Sequence, residues 1–246
     1  MGWSIPTEKL GKRGPRESIR GYAFQDAYIC LQMILLLDER QGIAAVRPEG
    51  AQDVDLLYNN SSEEYIQLKN IPNERYSLKI LRPILQSFAK DLIKAGRTST
   101  LTLSLIARSN TADAATVRLK DKIEDANDIA EIAKLLATPV SPSYQCLAAL
   151  NEEERHDLAK QLWRQTKFNF GMGDELDGCL SFEAYALKEL AKHGVESAKL
   201  KDAFNVLKDA LYKQREFTRA DIEELLKYEE ALFAHFFPGP QWCRRA

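Results

Sequence analysis

An α/β fold, in which a mixed sheet flanked by helices is followed by an all-helical C-terminal region, is predicted by three features of this 246-residue sequence. The first is a helical apolar period near the N-terminus, and the second is a pair of short runs alternating polar and apolar residues across a polar turn. The third is a series of capped helical periods that fills the second half of the chain.

The elements follow in order. Ile19, Tyr22, Ala23, Cys30, Met33, Ile34 and Leu37 mark one face of an amphipathic helix that should end near Gly42. Asp53-Val-Asp-Leu-Leu-Tyr58 and Glu64-Tyr-Ile-Gln-Leu-Lys69 read as strands, with Asn59-Asn-Ser-Ser62 as the turn between them. Strand side chains alternate, so Asp53 and Asp55 share a face, as do Gln67 and Lys69. A turn centred near Asn60 and Ser61 places Asp55 opposite Ile66 and Gln67, and both polar pairs converge at the far end of the hairpin. Leu85, Phe88 and Leu92 then form the apolar face of a helix running toward Gly96, and residues 101–107 form a buried strand.

Residues 117–123 and 129–136 read as helices, and Thr138-Pro-Val-Ser-Pro-Ser143 as a breaker and linker. Asn151 with Glu154 forms a capping box for a helix over 152–165. Further helices are expected over 180–193, ending at Gly194, and over 199–213, where Leu200, Ala203, Phe204, Leu207 and Leu211 share a face. Thr218 caps a last helix over 219–236, closed by Pro238. The chain divides on this reading into a core at 1–125 and a helical region for assembly or regulation at 126–246.

The hairpin carries the chemistry. Mg2+ takes near-octahedral oxygen ligands and keeps several waters, so one or two carboxylates, an amide oxygen and phosphate oxygens complete its shell. Asp55 is the first choice of metal ligand, Gln67 lends its side-chain carbonyl, and Glu49 or Asp53 assists because the amide is neutral. Mn2+ can substitute. Bound metal activates water and neutralises an attacked phosphate, while the Lys69 ammonium orients that water or stabilises the developing charge. The expected catalytic set is Asp55, Gln67, Lys69, Glu49 and Asp53.

The order of helix, strand, acid-bearing hairpin, helix and strand resembles the core of the PD-(D/E)xK nuclease superfamily, whose Mrr-like members carry Gln-x-Lys. Arg20-Gly-Tyr-Ala-Phe-Gln25, residues 49–55 and Tyr65-Ile-Gln-Leu-Lys69 look like the nuclease domain of the Cap-type double-stranded DNA endonucleases of bacterial anti-phage defence. Those enzymes include effectors of CBASS and Lamassu systems and partners of HerA-type ATPases. The resemblance spans residues 16–107. It implies a restriction-endonuclease-like core, a metal site built by the acids and Gln-x-Lys, a double-stranded DNA substrate, and control by homo-oligomerisation or by an SMC-like or HerA-type ATPase partner. A catalytically inactive scaffold of the same ancestry is the alternative.

A hydrophobic content of 45% supports a full core without staples. Four scattered cysteines without a C-x-x-C pair fit a reduced cytoplasm, and neither an apolar leader nor a run of 18 apolar residues is present. Net charge is −2, so affinity for nucleic acid must come from local clustering. Lys12, Arg13, Arg16 and Arg20 gather near the N-terminus as a candidate DNA-gripping arm, with Gln25 following on the same helix. Lys201, Lys208 and Lys213 offer a second, weaker candidate. The three histidines stand alone, and the acidic, glycine-containing stretch at 171–178 matches no phosphate or calcium loop.

Overall fold

The computed structural model of the chain describes residues 15–70, 75–96, 100–108, 112–170 and 178–236, with side chains at all of these except 15–21, 170, 178–181 and 228–236. Six strands, β1 (Ile43–Pro48), β2 (Val54–Tyr58), β3 (Glu63–Lys69), β4 (Leu101–Ala107), β5 (Thr166–Phe170) and β6 (Phe217–Thr218), form one sheet in the order β5-β4-β3-β2-β1-β6. Antiparallel pairing joins β6, β1, β2 and β3, and parallel pairing joins β3, β4 and β5. The chain is thus α/β with a mixed sheet between helices.

One face carries α1 (Pro15–Leu35), α7 (Gly178–Lys192), α8 (Leu200–Ala210) and α9 (Arg219–Phe236), and the other carries α2 (Leu78–Lys94), α3 (Ala114–Asp121), α4 (Ala126–Ala137), the short α5 (Gln145–Ala148) and α6 (Glu152–Gln165). Strand alternation feeds both layers. Val54, Leu56, Ile66, Leu68 and Ile106 point into the α1 layer, while Leu101, Leu103, Leu105 and Ala107 point into the α2 layer. β4 is therefore buried on both faces, as a central strand with parallel neighbours requires.

The hairpin forms where expected. Its turn is closed by Tyr58 N–H donating to Ser62 O at 2.9 Å, and the Asn60 side chain accepts from Ser62 N at 3.0 Å, which leaves Ser61 in the left-handed region at φ 63. The capping box of Asn151 and Glu154 is present, with both hydrogen bonds at 2.9 Å, and Gly194 ends α7 at φ 88.

Three expectations change. α1 stops at Leu35 rather than near Gly42, because Asp38 caps a separate turn at Glu39–Gln41 by accepting from Arg40 N at 3.1 Å. The C-terminal region is not all-helical. β5 and β6 join opposite edges of the sheet, so that the sheet draws on residues from both sides of the expected division at 125/126. The segment at 138–143 is not a loose linker either. The buried Gln86 side chain donates to Leu135 O and Thr138 O at 2.6 and 2.9 Å and accepts from Val140 N at 2.9 Å, pinning the break to α2. No described helix is long and apolar enough to cross a membrane.

Candidate active site at the open end of the hairpin

The β2–β3 register pairs Val54 with Ile66, Asp55 with Tyr65 and Leu56 with Glu64. Asp55 therefore faces Tyr65, not Ile66 and Gln67 as the turn position suggests. The fault lies in the turn, where Leu57 pairs with Glu63 and the closing residues are fewer than a turn centred on Asn60 and Ser61 implies. Asp53, one residue beyond the last pair, reaches Gln67.

Asp53 is the meeting point of three elements. Its carboxylate accepts the Leu68 backbone N–H at 2.7 Å and the Gln67 side-chain amide N–H from β3, and a side-chain hydrogen bond from Gln25 on α1. The Lys69 ammonium lies close enough to act on it electrostatically. Burial holds the Asp53 carboxyl above the ordinary carboxylate range, opposed by Lys69 and by these hydrogen bonds. Asp53, Gln67, Lys69 and Gln25 thus converge, and Gln25 does so as a partner of the acid.

Asp55 has a different surrounding. Only 4% exposed, it accepts the backbone N–H groups of Ala51 at 2.8 Å and Gln52 at 3.3 Å, closing the turn that leads into β2. Gly50 lies against it so tightly that an added Cβ would stand 1.9 Å from Oδ2. Burial again raises the carboxyl, and the nearby charges of Asp91 and Glu63 raise it further against the two N–H donors. The Gln52 side chain extends this network across to α2, donating to Ser87 Oγ at 2.7 Å and to Asp91 Oδ2 at 2.5 Å. Asp91, 5% exposed, is likewise raised chiefly by burial.

Glu49 is exposed, adopts φ 51 and donates its backbone N–H to Asp53 O at 3.0 Å. Its charge acts on Asp26 and Tyr212. Tyr212 donates its hydroxyl to Asp26 Oδ2 at 2.8 Å, and Lys208 Nζ lies 4.0 Å from the same oxygen. Burial raises the Asp26 carboxyl. These contacts bring the end of α8 to the mouth of the site, which the sequence does not announce. Gln52 and Asp91 are also missed, although a lone acid beside Phe88 and Leu92 on an apolar helix face was a usable signal.

Lys12 and Arg13 lie outside the described residues, as does most of 171–178; Arg16 and Arg20 lie on α1, their side chains outside the description. Among the described residues, no three His, Cys, Asp or Glu side chains form a group able to hold a metal ion alone. A divalent ion here needs the Gln67 amide. The donors suit one: a half-buried carboxylate held above its usual range is relieved by a cation, and an amide whose O and N interchange by rotation can turn its oxygen inward. Asp55 suits it less, since both oxygens already close the turn.

No protein-family model matches the chain, and no curated protein matches it. Among solved structures it is similar to a Moraxella osloensis Cap4 SAVED/CARF-domain containing receptor, with TM-score 0.52 and 14% identity over 92% of this chain and 56% of the receptor. It is also similar to the Acinetobacter baumannii Cap4 SAVED/CARF-domain containing receptor with the cyclic trinucleotide 3'3'3'-cAAA, with TM-score 0.50 and 13% identity over 92% of this chain and 54% of that one. The chain spans about half the length of these receptors, and at such identity the likeness is one of fold.

Proposed function

We propose that the chain is a metal-dependent DNA endonuclease acting in bacterial anti-phage defence, controlled by a partner or by oligomerisation. The observation that carries this reading is the convergence of Asp53, Gln67, Lys69 and Gln25 at the open end of the hairpin. The fold shared with Cap4 receptors supports the defence setting.

Asp53 is the first metal ligand, with the Gln67 amide oxygen beside it and Glu49 at the rim as the candidate second carboxylate. Bound Mg2+ or Mn2+ supplies an activated water and neutralises phosphate charge. Leu68 N–H and Gln25 hold the Asp53 carboxylate in one orientation, which matters because a displacement of about 1 Å can cost roughly 100-fold in rate. Lys69 places a positive charge where the attacked phosphate gains negative charge. Asp55 keeps the turn before Asp53 closed, a positioning role in place of the ligand role the sequence suggests.

The competing reading is a scaffold with an inactive nuclease fold. It is favoured by Gln67, whose amide N–H is directed at Asp53 in the present arrangement. Plasmid degradation with Mg2+, with the controlling partner present, separates the two. Activity in the wild type and its loss in both Asp53→Ala and Lys69→Ala is the expected result; equal cutting by all three proteins removes the site assignment.

A further inference from the structure

The segment after α8 carries Tyr212, Lys213 and Arg215, all exposed, and follows Lys208 by one helical turn. Three contacts fix where it lies. Tyr212 and Lys208 meet Asp26, the neighbour of Gln25 on α1, and Glu216 is ion-paired to Arg47 near the end of β1. Since Pro48 pairs with Val54, that end of β1 is the end of the sheet at which Asp53 and Glu49 stand. A basic, aromatic segment is thereby held beside a cluster of acids.

Nucleic acid entering an acidic site needs cations at its rim, and this chain has no net positive charge to supply long-range attraction. We infer that residues 208–215 form the wall that holds a nucleic-acid strand at the site, with Lys213 and Arg215 on backbone phosphates and the Tyr212 ring against an unstacked base. The inference rests on the nuclease reading above and adds the surface by which substrate is held. Tyr212 is 66% exposed while its hydroxyl is committed to Asp26, so what it offers a ligand is the ring face. Phosphates are common to single strands and duplexes, whereas a free base face is not. The two kinds of contact are therefore separable.

The experiment is fluorescence anisotropy with a labelled oligonucleotide of about 20 residues, single-stranded and as a duplex, titrated with full-length protein in EDTA across a salt series. Replacing both Lys213 and Arg215 by Ala is expected to weaken binding to both ligands about tenfold and to lower the slope of log affinity against log salt by roughly 1–2. Tyr212→Leu is expected to weaken single-strand binding about tenfold and leave the duplex unchanged, while Tyr212→Phe, which keeps the ring, binds as wild type. Variants that bind both ligands as tightly as wild type overturn the inference and leave the nuclease reading standing. A wild type that binds neither ligand overturns the inference as well. Strand binding by a wild type whose Tm Mn2+ does not raise supports the wall and removes the metal-dependent nuclease reading instead.

Discussion

Asp53 and Asp55 stand two residues apart at the start of β2, and burial lifts both carboxyls above the ordinary range. Their oxygens serve different neighbours. Asp55 accepts from the backbone of its own turn and is sealed by Gly50. Asp53 is bonded to side chains from β3 and α1, faces Lys69, and stands where the paired strands end. Depth alone does not mark a functional acid. What distinguishes Asp53 is that its partners come from distant parts of the chain and are themselves chemically able groups, whereas Asp55 is occupied by the local need to satisfy buried N–H donors.

The difference can be broken deliberately. Gly50→Ala forces a methyl onto Asp55 and is expected to destabilise the fold by about 3 kcal/mol, at the upper end of overpacking costs. The same change in an Asp55→Ala background should cost far less, and urea unfolding of the double-mutant cycle measures that coupling. Additive costs would show that Asp55 does not seal the turn.

Gln67→Glu tests the other acid. A second carboxylate beside Asp53 should tighten Mn2+ binding about tenfold by calorimetry, since a charged ligand holds a divalent ion more strongly than an amide. Lys69→Ala acts on the same group in protonation. Lys69 lowers the Asp53 pKa, so its removal raises an already raised value. Metal binding requires the carboxylate form and weakens as pH falls through that pKa; the acid limb of Mn2+ binding should therefore move to higher pH in the variant.

The smallest effect is expected on the Asp55 side, at Asp91. Burial raises its folded pKa above the ordinary 3.8, so its stabilising contribution is complete below the ordinary value and is lost as pH rises through the raised one. Asp91→Asn keeps an acceptor for Gln52 and removes the buried charge. At pH 7 its Tm should rise by about 2–4 °C, the equivalent of about 1 kcal/mol in a chain of this size, with the gain vanishing toward pH 3.

The hairpin, β4 and most of the helices were legible because their signals are local, whereas β1 was given no residues. The Asn60 and Ser61 turn, the Asn151 capping box and the apolar faces of α2 and α8 each sit within one element. β5 went unseen because it follows α6 without a breaker and its alternation of Lys167, Phe168, Asn169 and Phe170 is short, and β6 is two residues long. The site was legible as a neighbourhood. Asp53, Gln67, Lys69 and Gln25 could be named in advance, but ranking Asp53 against Asp55 depends on pairing register and on a turn whose N–H groups need an acceptor, both settled by tertiary structure. The approach of Tyr212 to Asp26 joins residues 186 positions apart, beyond any local pattern.

The central claim is that Asp53 holds the metal and Asp55 holds the turn. Thermal unfolding of wild type, Asp53→Asn and Asp55→Asn with and without saturating Mn2+ tests it most directly, because a ligand bound only to the folded state raises Tm. Asp53→Asn should abolish the Mn2+-induced rise while keeping a near-normal Tm without metal, and Asp55→Asn should begin from a lower Tm yet keep the rise. The reverse pattern, with the rise lost in Asp55→Asn and retained in Asp53→Asn, would contradict the account.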